Sequence, residues 1–259
     1  MEVLDSWGLW ALLAGAAFAA GVLNAIAGGG SFLTFPALVF AGLPPIVANA
    51  TSAVAVSPGY LGSTLGFKTE LASLPQQRLK EETLIAAVGG VLGALLLLIT
   101  PAQLFKGLVP WLLLFATVLF VLGPRVAQLR AANSVTGENG QASPLKRHLG
   151  LLAVAIYGGY FNGGLGILLL ALYTVCGEKQ LSTSNALKNL NSLVLSLLSV
   201  ATFAAAGAIA WGPALVMMVA ATLGGYTGAR GSKKIPVPWV RGTVVATGLV
   251  MSVVFFVRG

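Results

Sequence analysis

Two glycine clusters, each preceded by an asparagine, interrupt otherwise apolar sequence: Asn24-Ala25-Ile26-Ala27-Gly28-Gly29-Gly30-Ser31 and Asn162-Gly163-Gly164-Leu165-Gly166. Each glycine in a helix interior costs roughly 1 kcal/mol relative to alanine, so the clusters read as breaks. A helix that starts at Ser31 inside a membrane exposes unpaired backbone N–H groups and the positive end of its dipole. Such an end receives an anion without any side-chain charge. Gly28, Gly29 and Gly30 permit close backbone approach, and Ser31 offers a cap or a hydroxyl donor. Gly163 and Gly164 stand in the same relation to a second short helix. The competing reading is that these glycines only let two helices pack tightly.

A second polar set follows each break. Asn49, Thr51 and Ser52 lie in the first half, and Ser182, Thr183, Ser184, Asn185, Lys188, Asn189, Asn191 and Ser192 in the second. Polar groups this dense within a membrane require internal partners or a wet cavity. Spacing puts Asn185, Lys188, Asn189 and Ser192 on one helical face. Lys188 has no acidic neighbour on its own span, so its ammonium is a candidate anion ligand. Two other readings stand beside it: snorkelling to the nearby surface, or pairing with Glu178 on the preceding loop. The expected substrate-binding set is therefore Asn24, Gly28, Gly29, Gly30, Ser31, Asn49, Thr51, Ser52, Asn162, Gly163, Gly164, Asn185, Lys188 and Asn189. The carboxylates Glu2, Asp5, Glu70, Glu81, Glu82, Glu138 and Glu178 are expected at termini, loops or span edges, leaving no acidic proton relay. His148, beside Lys146 and Arg147, reads as a solvated loop residue. A serine–histidine hydrolase finds no support, and no metal or cofactor is expected: Cys176 is the only cysteine, and no metal-ligand spacing occurs.

The elements that must hold these residues are membrane helices. Of the 259 residues 57% are hydrophobic and 8% charged, with a mean hydropathy of +0.90, far from the composition of a soluble domain. Apolar stretches run over 7–66 (with internal Gly and Pro), 83–100, 107–123, 149–176, 184–208, 212–229 and 241–257, and most reach the roughly 20 residues that span a bilayer. The first stretch lacks a basic n-region and a small-residue cleavage site, so it reads as a retained span. The net charge of +8 sits in short loops, where it signals topology rather than nucleic-acid binding.

The chain repeats itself. At an offset of 135 residues Gly89-Gly90-Val91-Leu92-Gly93-Ala94 matches Gly224-Gly225-Tyr226-Thr227-Gly228-Ala229, and Pro101, Lys106 and Gly107 fall on Pro236, Arg241 and Gly242. With small gaps Asn24 pairs with Asn162 and Asn49-Ala50 with Asn185-Ala186. This divides the chain into a first membrane repeat (1–130), a cytoplasmic linker (131–147) and a second repeat (148–259). Four crossings per half give only a weak bias of basic residues. Five crossings per half, with the N-terminus outside, put Lys68, Arg78, Lys80, Arg125, Arg130, Lys146, Arg147, Lys179, Arg230, Lys233, Lys234 and Arg241 inside and leave Lys106 and Arg258 outside. An odd number of crossings inverts the repeats, the architecture in which transporter sites form near the midplane from broken helices. The expected fold is thus an all-α polytopic membrane protein of 8 to 10 membrane segments, with inverted repeats and a short broken helix in each half, over 31–41 and 165–176.

The run Gly21-Val22-Leu23-Asn24-Ala25-Ile26-Ala27-Gly28-Gly29-Gly30-Ser31-Phe32-Leu33-Thr34-Phe35-Pro36-Ala37-Leu38, followed by Ala48-Asn49-Ala50-Thr51-Ser52, resembles the signature of the TauE/SafE family of sulfite and organosulfonate permeases. The second-half cluster is a looser match. The resemblance implies a multi-pass carrier of the bacterial inner membrane for small sulfur-containing or carboxylate-like anions, with sulfite or organosulfonate export as the leading activity. It does not select one anion. Its implied partners are the anion, the lipid bilayer and, as an open alternative, a second copy of the chain. A passive anion channel and a non-transporting assembly protein are the competing functions.

Overall fold

The computed structural model describes residues 7–26, 29–133, 143–178, 180–231 and 237–258, all as helices and short connections with no strand among them. In chain order the helices are α1 (Trp7–Ile26), α2 (Ser31–Phe40), α3 (Pro45–Gly66), α4 (Lys68–Ala72), α5 (Gln76–Ile99), α6 (Ala102–Asn133), α7 (Pro144–Tyr160), α8 (Leu165–Val175), α9 (Leu181–Ala205), α10 (Trp211–Gly231) and α11 (Val237–Arg258). Among the described residues four stretches are long and apolar enough to cross a bilayer: Trp7–Ala25, Gln76–Ile99, Ala102–Leu122 and Leu181–Ala205. Helices α2 and α8, of 10 and 11 residues, reach only about 15 Å at 1.5 Å per residue, half the hydrocarbon thickness.

Each short helix turns back on its predecessor. Leu165 lies over Gly158 and Leu172 over Gly150, so α7 and α8 form an antiparallel hairpin, and α2 packs likewise on α1. The turns need left-handed backbone, which Gly29 (φ 91°) and Gly164 (φ 77°) supply. Both short helices also end alike. Leu43 N–H donates to the Leu38 carbonyl and Glu178 N–H to that of Tyr173, each after a left-handed glycine, Gly42 or Gly177. Helix α6 continues to Asn133, and α7 starts at Pro144 because Ser143 caps it by accepting from Lys146 N–H and proline is pre-set for the first helical position. Residues 134–142 lie outside the described residues.

The repeated glycines sit where helices of different halves touch. Gly89 and Gly93 of α5 press on Ala155 and Ile156 of α7, while Gly224 and Gly228 of α10 press on Phe18 and Val22 of α1. A methyl group at Gly93 or Gly224 would overlap a backbone carbonyl, of Ile156 and Phe18 respectively. Close backbone approach of this kind is how small residues hold membrane helices together. The exchange extends inward: α3 lies against α10 and α9, and α9 against α5. The main buried cluster, with Phe32, Phe35, Phe105, Phe161 and Phe203 fully enclosed, packs around the two hairpins and fixes their tips.

Candidate functional site

The two hairpin tips meet. Ser31 Oγ donates to the Asn162 carbonyl at 3.4 Å, and Tyr60 Oη donates to Asn162 Oδ1 at 3.4 Å. Asn49 Nδ2 donates to the Tyr160 carbonyl at 3.1 Å, occupying one of the carbonyls left open where α7 ends. Beside this junction is a chamber of about 300 Å³. Asn24, Gly29 and Ser31 line it from the first break, and Asn162, Gly164 and Gly166 from the second. Asn185, Lys188 and Asn189 line it from α9. The starts of both α2 and α8 therefore border one space, where the positive ends of both dipoles act together.

The expected residues divide into two groups. Eight of them line the chamber: Asn24, Gly29, Ser31, Asn162, Gly164, Asn185, Lys188 and Asn189. The remainder are committed elsewhere or undescribed. Gly30 packs against the Ala20 carbonyl, and Gly163 is covered by the Phe161 ring while its carbonyl accepts from Tyr157 Oη at 2.8 Å. Asn49 holds the α7 terminus, Thr51 Oγ1 accepts from Ala210 N–H at 3.1 Å, and Ser52 and Thr34 share a hydroxyl contact of 2.6 Å. These polar groups tie helices together, as buried polar atoms must when no water reaches them. Gly28 lies outside the described residues. Ser31 does not cap α2: its side chain makes no cap bond and reaches across to the other tip instead.

Lys188 is half-buried, and its stem crosses to the first turn of α8, with Cδ 3.6 Å from where a Gly166 methyl would sit. The pairing with Glu178 considered for it does not form, because Glu178 Oε2 accepts from Arg78 at 3.0 Å. Among the described residues neither Lys188 nor Asn189 has a hydrogen-bond or ion-pair partner. A half-buried ammonium without a carboxylate, facing two helix starts, presents positive potential to whatever enters.

Sequence reasoning missed Ser63 and Phe67 of the α3 wall. Tyr60, Ser63 and Phe67 line the chamber at spacings of three and four residues, a helical face visible in the sequence. Glu82, about two turns into α5, is a span-edge carboxylate whose burial the sequence did not show. Its side chain is fully buried, with Arg78 Nε at 2.9 Å, Arg147 Nε at 3.3 Å and Tyr173 Oη donating at 2.8 Å. Asn191 Nδ2 donates to Tyr173 Oη at 2.6 Å. His148 is no solvated loop residue: it belongs to α7 and lies 3.5 Å from Glu81. The i, i+4 spacing of Arg78 and Glu82 was the available signal, and it gives one pair but not the arginine from α7.

The sequence profile described as Sulfite exporter TauE/SafE matches residues 13–255, nearly the whole chain and both hairpins. The chain belongs to the TauE/SafE family. Among its relatives is the Probable membrane transporter protein ORF9 of Sinorhizobium sp, 32% identical over 227 residues that cover 86% of this chain and 82% of the relative. The Probable membrane transporter protein YfcA of Escherichia coli (strain K12) is 29% identical over 247 residues, 91% of this chain and 85% of its own. A Probable membrane transporter protein of Haemophilus influenzae is 31% identical over 230 residues, covering 86% and 84%. No solved structure matches. Membership in a family of membrane transporters accords with the apolar helices, and makes this TauE/SafE chain a multi-pass membrane protein that handles a small-molecule substrate.

Proposed function

We propose that this protein is a secondary carrier of small anions in the bacterial inner membrane, not an enzyme, and that it exports sulfite, a sulfonate or a related carboxylate. The observation that carries this reading is the Lys188 ammonium, unpartnered among the described residues, beside the starts of two short helices in one 300 Å³ chamber. Gly164 to Gly166 supply backbone N–H groups, Lys188 supplies charge, and Ser31, Asn162 and Asn189 supply hydroxyl and amide contacts. The halves are inverted repeats in this account. The support is the exchange of packing partners, α1 with α10 and α7 with α5, and the charge bias of the loops.

The chamber opens toward the basic loops, since Phe67 directly precedes Lys68 and Asn185 lies early in α9. The conformation is accordingly inward-facing in this reading. Glu82 carries two arginines and serves to lock the α7–α8 hairpin onto α5 rather than to move protons. An inside-negative potential alone favours anion exit by roughly 2.3 kcal/mol per charge per 100 mV. The test is a stability screen of the purified protein with sulfite, sulfate, methanesulfonate, sulfoacetate, taurine and acetate, followed by counterflow in proteoliposomes. A carrier saturates and exchanges a loaded anion. Unsaturable flux without counterflow contradicts the carrier, and no stabilisation by any anion contradicts the site.

A further inference from the structure

A second chamber, of about 430 Å³, adjoins the first and shares Asn24, Ala25 and Ser63 with it as common wall. It lies between α1, α3 and α10, and among the described residues no charged side chain lines it. Its wall is mostly aliphatic and glycine, including Ala20, Val56, Pro58, Gly59 and Gly62. Gly59 accounts for the opening of this space, and Gly62 lines it one turn further on. The pairing of Asn49 with Asn185 sets α3 on α9 at an offset of 136, which places Gly59 on Leu195 and Gly62 on Leu198. Leu195 is buried and fills the corresponding crevice of the second half, touching Gly90 of α5 and Gly158 of α7. In the first half that leucine is missing: beyond Gly62 there is nothing within 4 Å of an added methyl, and beyond Gly59 only Asn24 Nδ2 at 3.3 Å.

From this juxtaposition we propose that the two chambers form one bipartite site. The anionic head binds at Lys188 and the α8 start, and an uncharged, apolar body extends past Asn24 into the space left by Gly59 and Gly62. The ligand class is then an organic monoanion with an aliphatic tail, a sulfonate or carboxylate, of which a bare inorganic oxyanion matches the head alone. The inference rests on the anion reading of the central chamber. The volume admits on the order of a dozen water-sized groups at about 30 Å³ each, ample for a short alkyl chain. Continuity with the charged chamber is what favours a substrate tail over a lipid acyl chain as the occupant.

The experiment is calorimetric binding of methanesulfonate, butanesulfonate and hexanesulfonate to the full-length protein in nanodiscs, with Gly62→Leu and the milder Gly62→Ala alongside. Each added methylene is expected to raise affinity about fourfold, the transfer value for a buried methylene. Gly62→Leu is expected to lower the hexanesulfonate-to-methanesulfonate affinity ratio at least tenfold, and Gly62→Ala to lower it less. Wild-type protein that binds methanesulfonate but shows no dependence on chain length overturns the bipartite site and leaves the central chamber standing; a lipid chain would then be the occupant. An unchanged ratio in folded Gly62→Leu or Gly62→Ala also overturns it. Failure to bind any of the three sulfonates removes the anion reading itself.

Discussion

Half-buried Lys188 and buried Glu82 are the two charges that matter most, and their surroundings assign them opposite work. Lys188 faces a chamber bordered by helix starts and has no partner among the described residues, so its charge is free for a ligand. Lys188→Met is expected to weaken anion binding tenfold to a hundredfold, the range of about 1.5–3 kcal/mol for a hydrogen bond to a charged group, with little change in melting temperature. Calorimetry with methanesulfonate on wild type and variant checks this. Glu82 is held by Arg78, Arg147 and Tyr173, so Glu82→Gln removes the carboxylate that Arg147 faces and leaves Arg78 with Glu178 alone. The expected loss is about 3 kcal/mol of stability, read as a lowered melting temperature. Lys188 was legible in the sequence because its own helix carries no acid. Glu82 was not, since its burial depends on Arg147, Tyr173 and Asn191, brought from 65 to 109 positions away by the folding of α7, α8 and α9 onto α5.

The glycines act at the scale of elements, and they fall into separate kinds that the sequence alone did not sort. Gly29 and Gly164 turn the chain at the hairpin tips through left-handed backbone. Gly89, Gly93, Gly224 and Gly228 bring helices of opposite halves into backbone contact. The repeat of the second kind could be read directly from the 135-residue offset, whereas the helix each one touches could not, because the partner belongs to the other half. Both readings of the clusters, break and close packing, turn out to apply within four residues: Gly29 turns the chain and Gly30 packs on α1. Gly93→Ala is expected to destabilise by roughly 1–3 kcal/mol through overlap with the Ile156 carbonyl. Gly107→Ala, in helix α6 with open space around it, is expected to be neutral or to stabilise by up to about 1 kcal/mol. Thermal unfolding in detergent separates the two.

For the whole molecule, the composition already announced a bundle of membrane helices, and the asparagine–glycine pairs announced where two of them break. The chamber itself was only half legible. The breaks and the polar face of α9 could be found by spacing, but Ser63 and Phe67 of the α3 wall looked like any helix end until the tips were placed against it. If the chamber faces the cytoplasm, a cysteine at Ser63 in a Cys176→Ala background is labelled by an impermeant maleimide in inside-out vesicles and shielded by a bound sulfonate. Labelling from intact spheroplasts instead would reverse the topology. One anion is expected to sit between Lys188 and the start of α8. Anomalous diffraction from crystals soaked in selenite tests it most directly. A selenium peak is expected within hydrogen-bond distance of Lys188 Nζ and the Gly164–Gly166 backbone and is expected to vanish in Lys188→Met; selenium bound away from both, in a protein that binds sulfite, would rule this site out.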